Sequence, residues 1–304
     1  MFWTSTSIIF VLIAALLTVY VGPASMGSGV AEVMGLLNGV NYTDAIGLKT
    51  LFVKCFGTLF AICGGLCIGK EGPLVHIGAN IGVIVCYVPM KIFEYLQNDV
   101  IKRQMMAAGA SCGVSVAFGA PIGGALFSYE ISKPNTFWTF SMLWRVFTAT
   151  SFATFTLSVL KSISTGAPLS LSDSGSLKFG NVGESGENSM LDLPAAIILG
   201  VITGLMGALF IHCSISLGMY RKKYVNTPIK KVIECCIFAF ITSSSFYAVV
   251  AARKNDCNPK IEGAEEEFRF ACPSNQYNPL ATLIFNTEGG TIRQFFRYPE
   301  IVAN

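Results

Sequence analysis

Charged residues are scarce in this chain. Asp, Glu, Lys and Arg make up 13% of its 304 residues, where soluble domains carry about 25%. With 52% hydrophobic residues and a mean hydropathy of +0.58, the composition excludes a soluble globular protein. It points to an integral protein of the lipid bilayer. A strong charge of either sign is also missing. A net charge of +3 is too small a footprint for nucleic acid. No C-x-x-C or zinc-finger spacing occurs among the ten cysteines, and nothing calls for a metal, an organic cofactor or an enzyme active site. Cys55, Cys63, Cys67, Cys86, Cys112, Cys213, Cys235 and Cys236 lie in apolar runs and read as small buried hydrophobes.

What is present is apolar sequence punctuated by glycine. Segments of spanning length run roughly over 7–22, 46–68, 193–218 and 231–252. Shorter or glycine-interrupted ones lie near 27–38, 71–90, 104–117, 119–131 and 138–160. Such interruptions predict half-helices, which survive in a membrane only where they are buried in protein or line a cavity. The first segment lacks the basic start of a signal peptide and reads as a membrane helix. Thirty glycines suit close helix packing.

Three polar stretches organise the rest. Residues 161–192 are Ser- and Gly-rich with Asp173, Glu184, Glu187 and Asp192. Residues 221–231 carry Arg221, Lys222, Lys223, Lys230 and Lys231, which places them in the cytosol. Residues 253–279 hold Glu265-Glu266-Glu267 between Cys257 and Cys272. The intervening helices put 161–192 and 253–279 on the outer or luminal face. There the two loop cysteines either form a disulfide, as an oxidising compartment favours, or stay as two free thiols. The domain reading is a membrane region over 1–160, a loop over 161–192, and a second membrane region over 193–304 that includes the luminal loop 253–279. Asn41-Tyr42-Thr43, the N-x-[ST] site, precedes Lys49 and Lys54. It is expected on the cytosolic side, unglycosylated.

The chemistry concentrates where one apolar run breaks and the next begins, at Gly69-Lys70-Glu71-Gly72-Pro73-Leu74-Val75-His76. An ionisable residue inside a membrane segment costs about 2.5–3.5 kcal/mol on insertion scales and is a functional candidate by default. A broken helix also aims free backbone N–H groups into the membrane interior, which holds anions. Gly64 to Glu71 reads G-G-L-C-I-G-K-E, with Glu where an ATP-binding P-loop needs Ser or Thr for its metal; ATP is excluded. Glu71 is either a buried, neutral, hydrogen-bonded acid or a gate. As a gate it occupies an anion site when ionised and leaves it when protonated. Burial disfavours the carboxylate while the helix start and Lys70 favour it, so it stays able to exchange its proton.

Gly27-Ser28-Gly29-Val30-Ala31-Glu32 opens a second short helix. Its Ser is an ordinary helix cap or, paired with the Glu71 motif, an uncharged hydrogen-bond donor to an anion. Ala117-Phe118-Gly119-Ala120-Pro121-Ile122-Gly123-Gly124-Ala125-Leu126-Phe127-Ser128-Tyr129-Glu130 breaks one helix and starts another, with Pro121 in a first turn. Glu130 is either a snorkelling acid or part of a water or proton path. His76, five residues after Glu71, lies off its helix face, and packing is favoured over proton relay. His212 reads as an ordinary helix residue.

Together these motifs resemble the CLC family of chloride channels and chloride/proton exchangers. GSGVAE is similar to the family's GSGIP signature, GKEGP is its second signature, and AFGAPIGGALFSYE resembles the segment that follows. The likeness continues through Leu280-Ala281-Thr282-Leu283-Ile284-Phe285-Asn286-Thr287. With the paired loop cysteines, that stretch looks most like the endosomal and lysosomal branch, which implies an intracellular membrane. The resemblance implies an all-α, multi-pass CLC-type fold with broken, tilted helices, two inverted repeats (the second incomplete here) and a homodimer with one pore per subunit. Segments 119–131 and 138–157 would supply part of the dimer interface. It implies chloride as the transported ion, Ser28 as the central ligand, Glu71 as the gate, and N–H groups around Gly69, Lys70, Glu71 and Gly72 at the outer anion.

Three departures qualify it. Ala31 stands where the signature has Pro. Ile131 follows Glu130 where exchangers carry a second acid, and an Ile side chain cannot carry a proton. The third signature GxFxP, the later chloride-contacting Tyr, the CBS pair and the family's first helix do not appear, so the chain reads as truncated. The expected activity is a voltage- and pH-gated chloride channel. The alternatives are a chloride/proton antiporter of endosomes or lysosomes, with protons as a second partner, and a non-conducting fragment.

Overall fold

Glycine and proline set the helix boundaries in the computed structural model, which describes residues 2–42, 44–89, 97–132, 139–164, 192–259, 268–286 and 290–291. Thr43, most of the 161–192 loop and the Glu265–Glu267 run lie outside the described residues. The helices are α1 (Phe2–Leu16), continued by a π turn over Leu17–Val21, α2 (Val30–Leu37), α3 (Leu48–Cys63), α4 (Glu71–Cys86) and α5 (Asp99–Phe118). They are followed by α6 (Pro121–Ser132), α7 (Phe140–Ser164), α8 (Asp192–Tyr224), α9 (Pro228–Ala252) and α10 (Pro279–Phe285). Trp3–Val21, Phe140–Ser164, Leu193–Tyr224 and Pro228–Ala252 are long and apolar enough to cross a membrane.

Several boundaries differ from the sequence reading: α1 begins at Phe2 and not near 7, α5 at Asp99 and not near 104, and α4 ends at Cys86 and not near 90. The apolar run 46–68 gives a helix that stops at Cys63, because Gly64 caps it and Gly65 turns the chain at φ +73°. α7 runs four residues past 160, to Ser164. The basic stretch 221–231 is mostly helix ends: Arg221, Lys222 and Lys223 belong to the last turn of α8, and α9 resumes at Pro228.

The chain divides into two compact units. The first holds Met1–Lys178 and Cys235–Ala252. Its centre is the α4–α5 pair, with α6 and α7 packed on α5 and α2 laid across α4 and α5. A Cβ added at Gly78 would strike Gly109 O, and one at Gly109 would strike Gly78 O. At Gly82 it would strike Met105 O, and at Gly113 Leu74 O. The two backbones therefore touch, which small residues allow and which membrane helices use in place of hydrophobic collapse. Around this seam lie Val33, Leu37, Val75, Ala79, Val83, Met106, Ala110, Val114 and Ile131. Ser128 Oγ donates to Ala107 O at 2.9 Å, tying α6 to α5. α1 packs on α3, with Phe10 and Phe60 stacked and Ser7 Oγ donating to Gly64 O.

The second unit holds Phe179–Glu234 and Arg253–Asn304. Arg221 clasps Glu234 bidentately, Nε to Oε1 at 2.7 Å and Nη2 to Oε2 at 2.8 Å. Cys257 and Cys272 are joined by a disulfide, beside the two-residue antiparallel strands β1 (Asn258–Pro259) and β2 (Gln276–Tyr277). Asn278 caps α10, accepting from Ala281 N, and its Nδ2 donates to Arg253 O.

Candidate functional site

Two broken helix starts meet in the first unit. Ser28 sits between Gly27 at φ +77° and Gly29 at φ +87°, left-handed conformations that favour glycine. α2 begins immediately after, at Val30. Among the described residues Ser28 Oγ accepts only a long 3.4 Å bond from Val30 N, and the side chain is exposed. Across from it α4 begins at Glu71, with Pro73 in its first turn. Its first intrahelical bond runs from Leu74 N to Lys70 O, so the N–H groups of Glu71 and Gly72 precede the helical ladder.

The two starts are in contact. A Cβ at Gly72 would come within 2.7 Å of Ser28 Cβ, so glycine is what lets the Ser28 loop rest on α4. The half-buried Glu71 folds its carboxylate back over Gly69, where a Cβ would lie 2.6 Å from Oε2. Ser28, Gly69, Glu71 and Gly72 thus form one cluster at the start of α4. Lys70 caps that helix with an exposed side chain. Glu130 is on a different helix and exposed, while its neighbour Ile131 is buried in the apolar core.

Two further residues adjoin the cluster: Lys54, which the sequence reading used only to place a loop, and His76, for which it favoured packing over proton relay. Lys54 projects from α3 and is 2% exposed. Its Nζ donates to Ser25 O at 2.9 Å and to Gly27 O at 2.7 Å, pinning the loop on the N-terminal side of Ser28. It is therefore an interior cation and not a marker of a cytosolic loop. Its signal was a lone lysine inside an apolar run. His76 is fully buried on α4, with Nε2 2.8 Å from Ala45 O. Four residues on, Asn80 accepts from Gly47 N at 2.8 Å. Lys54→Met is expected to lower the thermal unfolding midpoint of the purified protein. It strands the buried carbonyl of Ser25 at a cost of about 1–3 kcal/mol, while the Gly27 carbonyl, only partly buried, can turn to water; an unchanged midpoint would show that Ser25 O finds another donor.

Likeness along nearly the whole chain decides what kind of protein this is. A sequence model described as Voltage gated chloride channel matches residues 10–299. The chain belongs to the voltage-gated chloride channel family. Its relatives include the H(+)/Cl(-) exchange transporter 7 of Mus musculus, 34% identical over 98% of this chain and 38% of that protein. Chloride channel protein A of Dictyostelium discoideum is 36% identical over 96% of this chain and 39% of its own length. The fold matches the crystal structure of a eukaryotic CLC transporter, with a TM-score of 0.62 and 24% identity, over 83% of this chain and 42% of that one. The chain thus spans about two-fifths of the length of these relatives. This CLC-family chain has the all-α, multi-pass membrane architecture that the sequence motifs imply, and the family is one of channels and transporters, not of enzymes.

Proposed function

We propose that the protein moves chloride across a membrane through the cluster at the starts of α2 and α4. The observation that carries this reading is the contact of Ser28 with Gly72, one residue from Glu71. A hydroxyl, two helix N-termini and a carboxylate then share one small space. The Ser28 hydroxyl and the N–H groups of Glu71 and Gly72 donate to the anion, as helix starts do for anionic groups generally. Lys54 adds a positive charge behind the loop. Glu71 competes with chloride for the same donors when ionised and withdraws over Gly69 when protonated. Lys70, exposed at the head of α4, attracts anions to it.

Passive, gated conduction is the favoured mode, because Ile131 is packed in the apolar core and offers no proton acceptor beside Glu130. The second reading is chloride/proton exchange, supported by the name of the mouse relative. An endosomal or lysosomal membrane and a homodimer are the proposed setting. Exposed apolar residues of α7 such as Trp144, Phe152 and Phe155 fit cover by lipid or a second copy. Chloride efflux from liposomes with valinomycin and an imposed pH gradient tests both modes. Flux without proton movement is expected, and flux with stoichiometric proton movement would replace channel by exchanger. No flux from folded protein would refute both.

A further inference from the structure

We infer that His76 is a positioning residue that seats Ser28 against α4, and so sets how well the site holds its anion. The first observation is the fit at Gly29, the residue next to Ser28. A Cβ there would overlap His76 Nδ1 and Cγ and approach Cβ at 2.5 Å, so the imidazole fills the place where any other residue at 29 would put its side chain. The second is the ring's anchor. Ala45 O accepts only, so Nε2 carries the proton of the 2.8 Å bond to it. That bond fixes the ring's rotation. Asn80 braces the same carbonyl, with Nδ2 3.5 Å away, and also donates to His76 O at 3.0 Å. The third is Nδ1. It is buried and has no hydrogen-bond partner among the described residues, on the side of the ring that meets Gly29. A buried polar atom held without a partner is costly, which marks the ring as held for its shape and its Ala45 bond.

The consequence is geometric. Ser28 and Gly29 rest on α4 at two points, Gly72 and His76, while Lys54 holds the preceding carbonyls from α3. Glu71 rides on the same helix as His76. A single rigid element therefore carries the gate and sets the seat of the hydroxyl opposite it. Preorganised donors of this kind lose affinity when their support loosens, even when the donor itself is untouched.

The proposal rests on Ser28 being an anion donor, and its test separates the two ideas. Chloride flux is measured against chloride concentration in proteoliposomes for Ser28→Ala, His76→Gln and His76→Leu. Gln keeps an N–H for Ala45 O and should leave half-saturating chloride within about twofold, whereas Leu should raise it about fivefold, the range of one lost hydrogen bond. Maximal flux should change far less, which separates a misplaced donor from a loss of folded protein. A Leu variant with the parent half-saturation, or a Gln variant as impaired as Leu, overturns the inference. If Ser28→Ala alone shifts half-saturation, the anion reading stands and only the role of His76 falls. If Ser28→Ala shifts nothing, both fall. Should His76→Leu not fold, His76→Asn takes its place. It is polar but too short to reach Ala45 O, and equality with the Gln variant overturns the proposal.

Discussion

Gly109→Ala is expected to lower the recovery and the unfolding midpoint of the folded protein strongly. One methyl group is added, yet it would be driven into the carbonyl of Gly78 on the facing helix. No side chain can rotate out of the way, because both partners are backbone inside helices. The same clash arises in reverse for Gly78→Ala, and one turn along for Gly82→Ala against Met105 O. Relief requires α4 and α5 to separate, which loosens the packing of Val75, Ala79, Met106 and Ala110 along the seam. Overpacking a core costs about 1–3 kcal/mol and occasionally more, against a total stability of about 5–15 kcal/mol. A rigid backbone contact at the centre of the unit belongs at the upper end. The measurement is the monodisperse fraction in detergent and its unfolding midpoint. Gly123→Ala is the control, since its Cβ would meet only Ala120 Cβ at an ordinary 3.5 Å. If both variants behave like the parent protein, the two helices do not touch as described.

Glu71→Gln is expected to remove the pH dependence of chloride flux. The amide keeps the size of the carboxyl but holds no negative charge, so it imitates the protonated gate at every pH. Flux should stay at the level that the parent protein reaches in acid, and it should no longer fall as pH rises. Glu71→Ala should do the same without a side chain to re-enter the site. Proton movement, if the parent shows any, should vanish with the carboxyl. Flux that still follows pH in both variants would assign the gate to another group. The experiment also distinguishes the gate from the bland reading of Glu71 as a hydrogen-bonded interior acid. Loss of such an acid would lower stability and leave the pH profile of the remaining flux unchanged.

The helix breaks were legible because glycine and proline act locally. Gly27, Gly29 and Gly119 adopt positive φ, and the helices that follow begin within three residues of them. The pairing of Ser28 with the Glu71 segment came from the resemblance, and the contact itself is tertiary. What the sequence concealed was support from a distance. Lys54 binds carbonyls 27 and 29 residues away, and backbone acceptors leave no mark in side-chain identity. His76 meets Gly29 across two helices, and the period that placed it away from Glu71 was silent about what lay on its own side. The glycine content suggested close helix packing without showing that Gly78 of α4 would meet Gly109 of α5. The end of the run 46–68 was overreached because Leu66, Cys67 and Ile68 are apolar, while the chain direction is decided by Gly64 and Gly65.

The length of α8 carries a mechanical consequence. Its 33 residues extend about 50 Å at the helical rise of about 1.5 Å per residue, against a hydrocarbon thickness of about 30 Å. Its last turn, with Arg221, Lys222 and Lys223, and its first residue, Asp192, are suited to headgroups. The remainder has to incline, protrude or thicken the lipid around it. Bilayer thickness therefore becomes a variable to which this helix has to adapt, by inclination, by protrusion of its basic end or by deformation of the surrounding lipid.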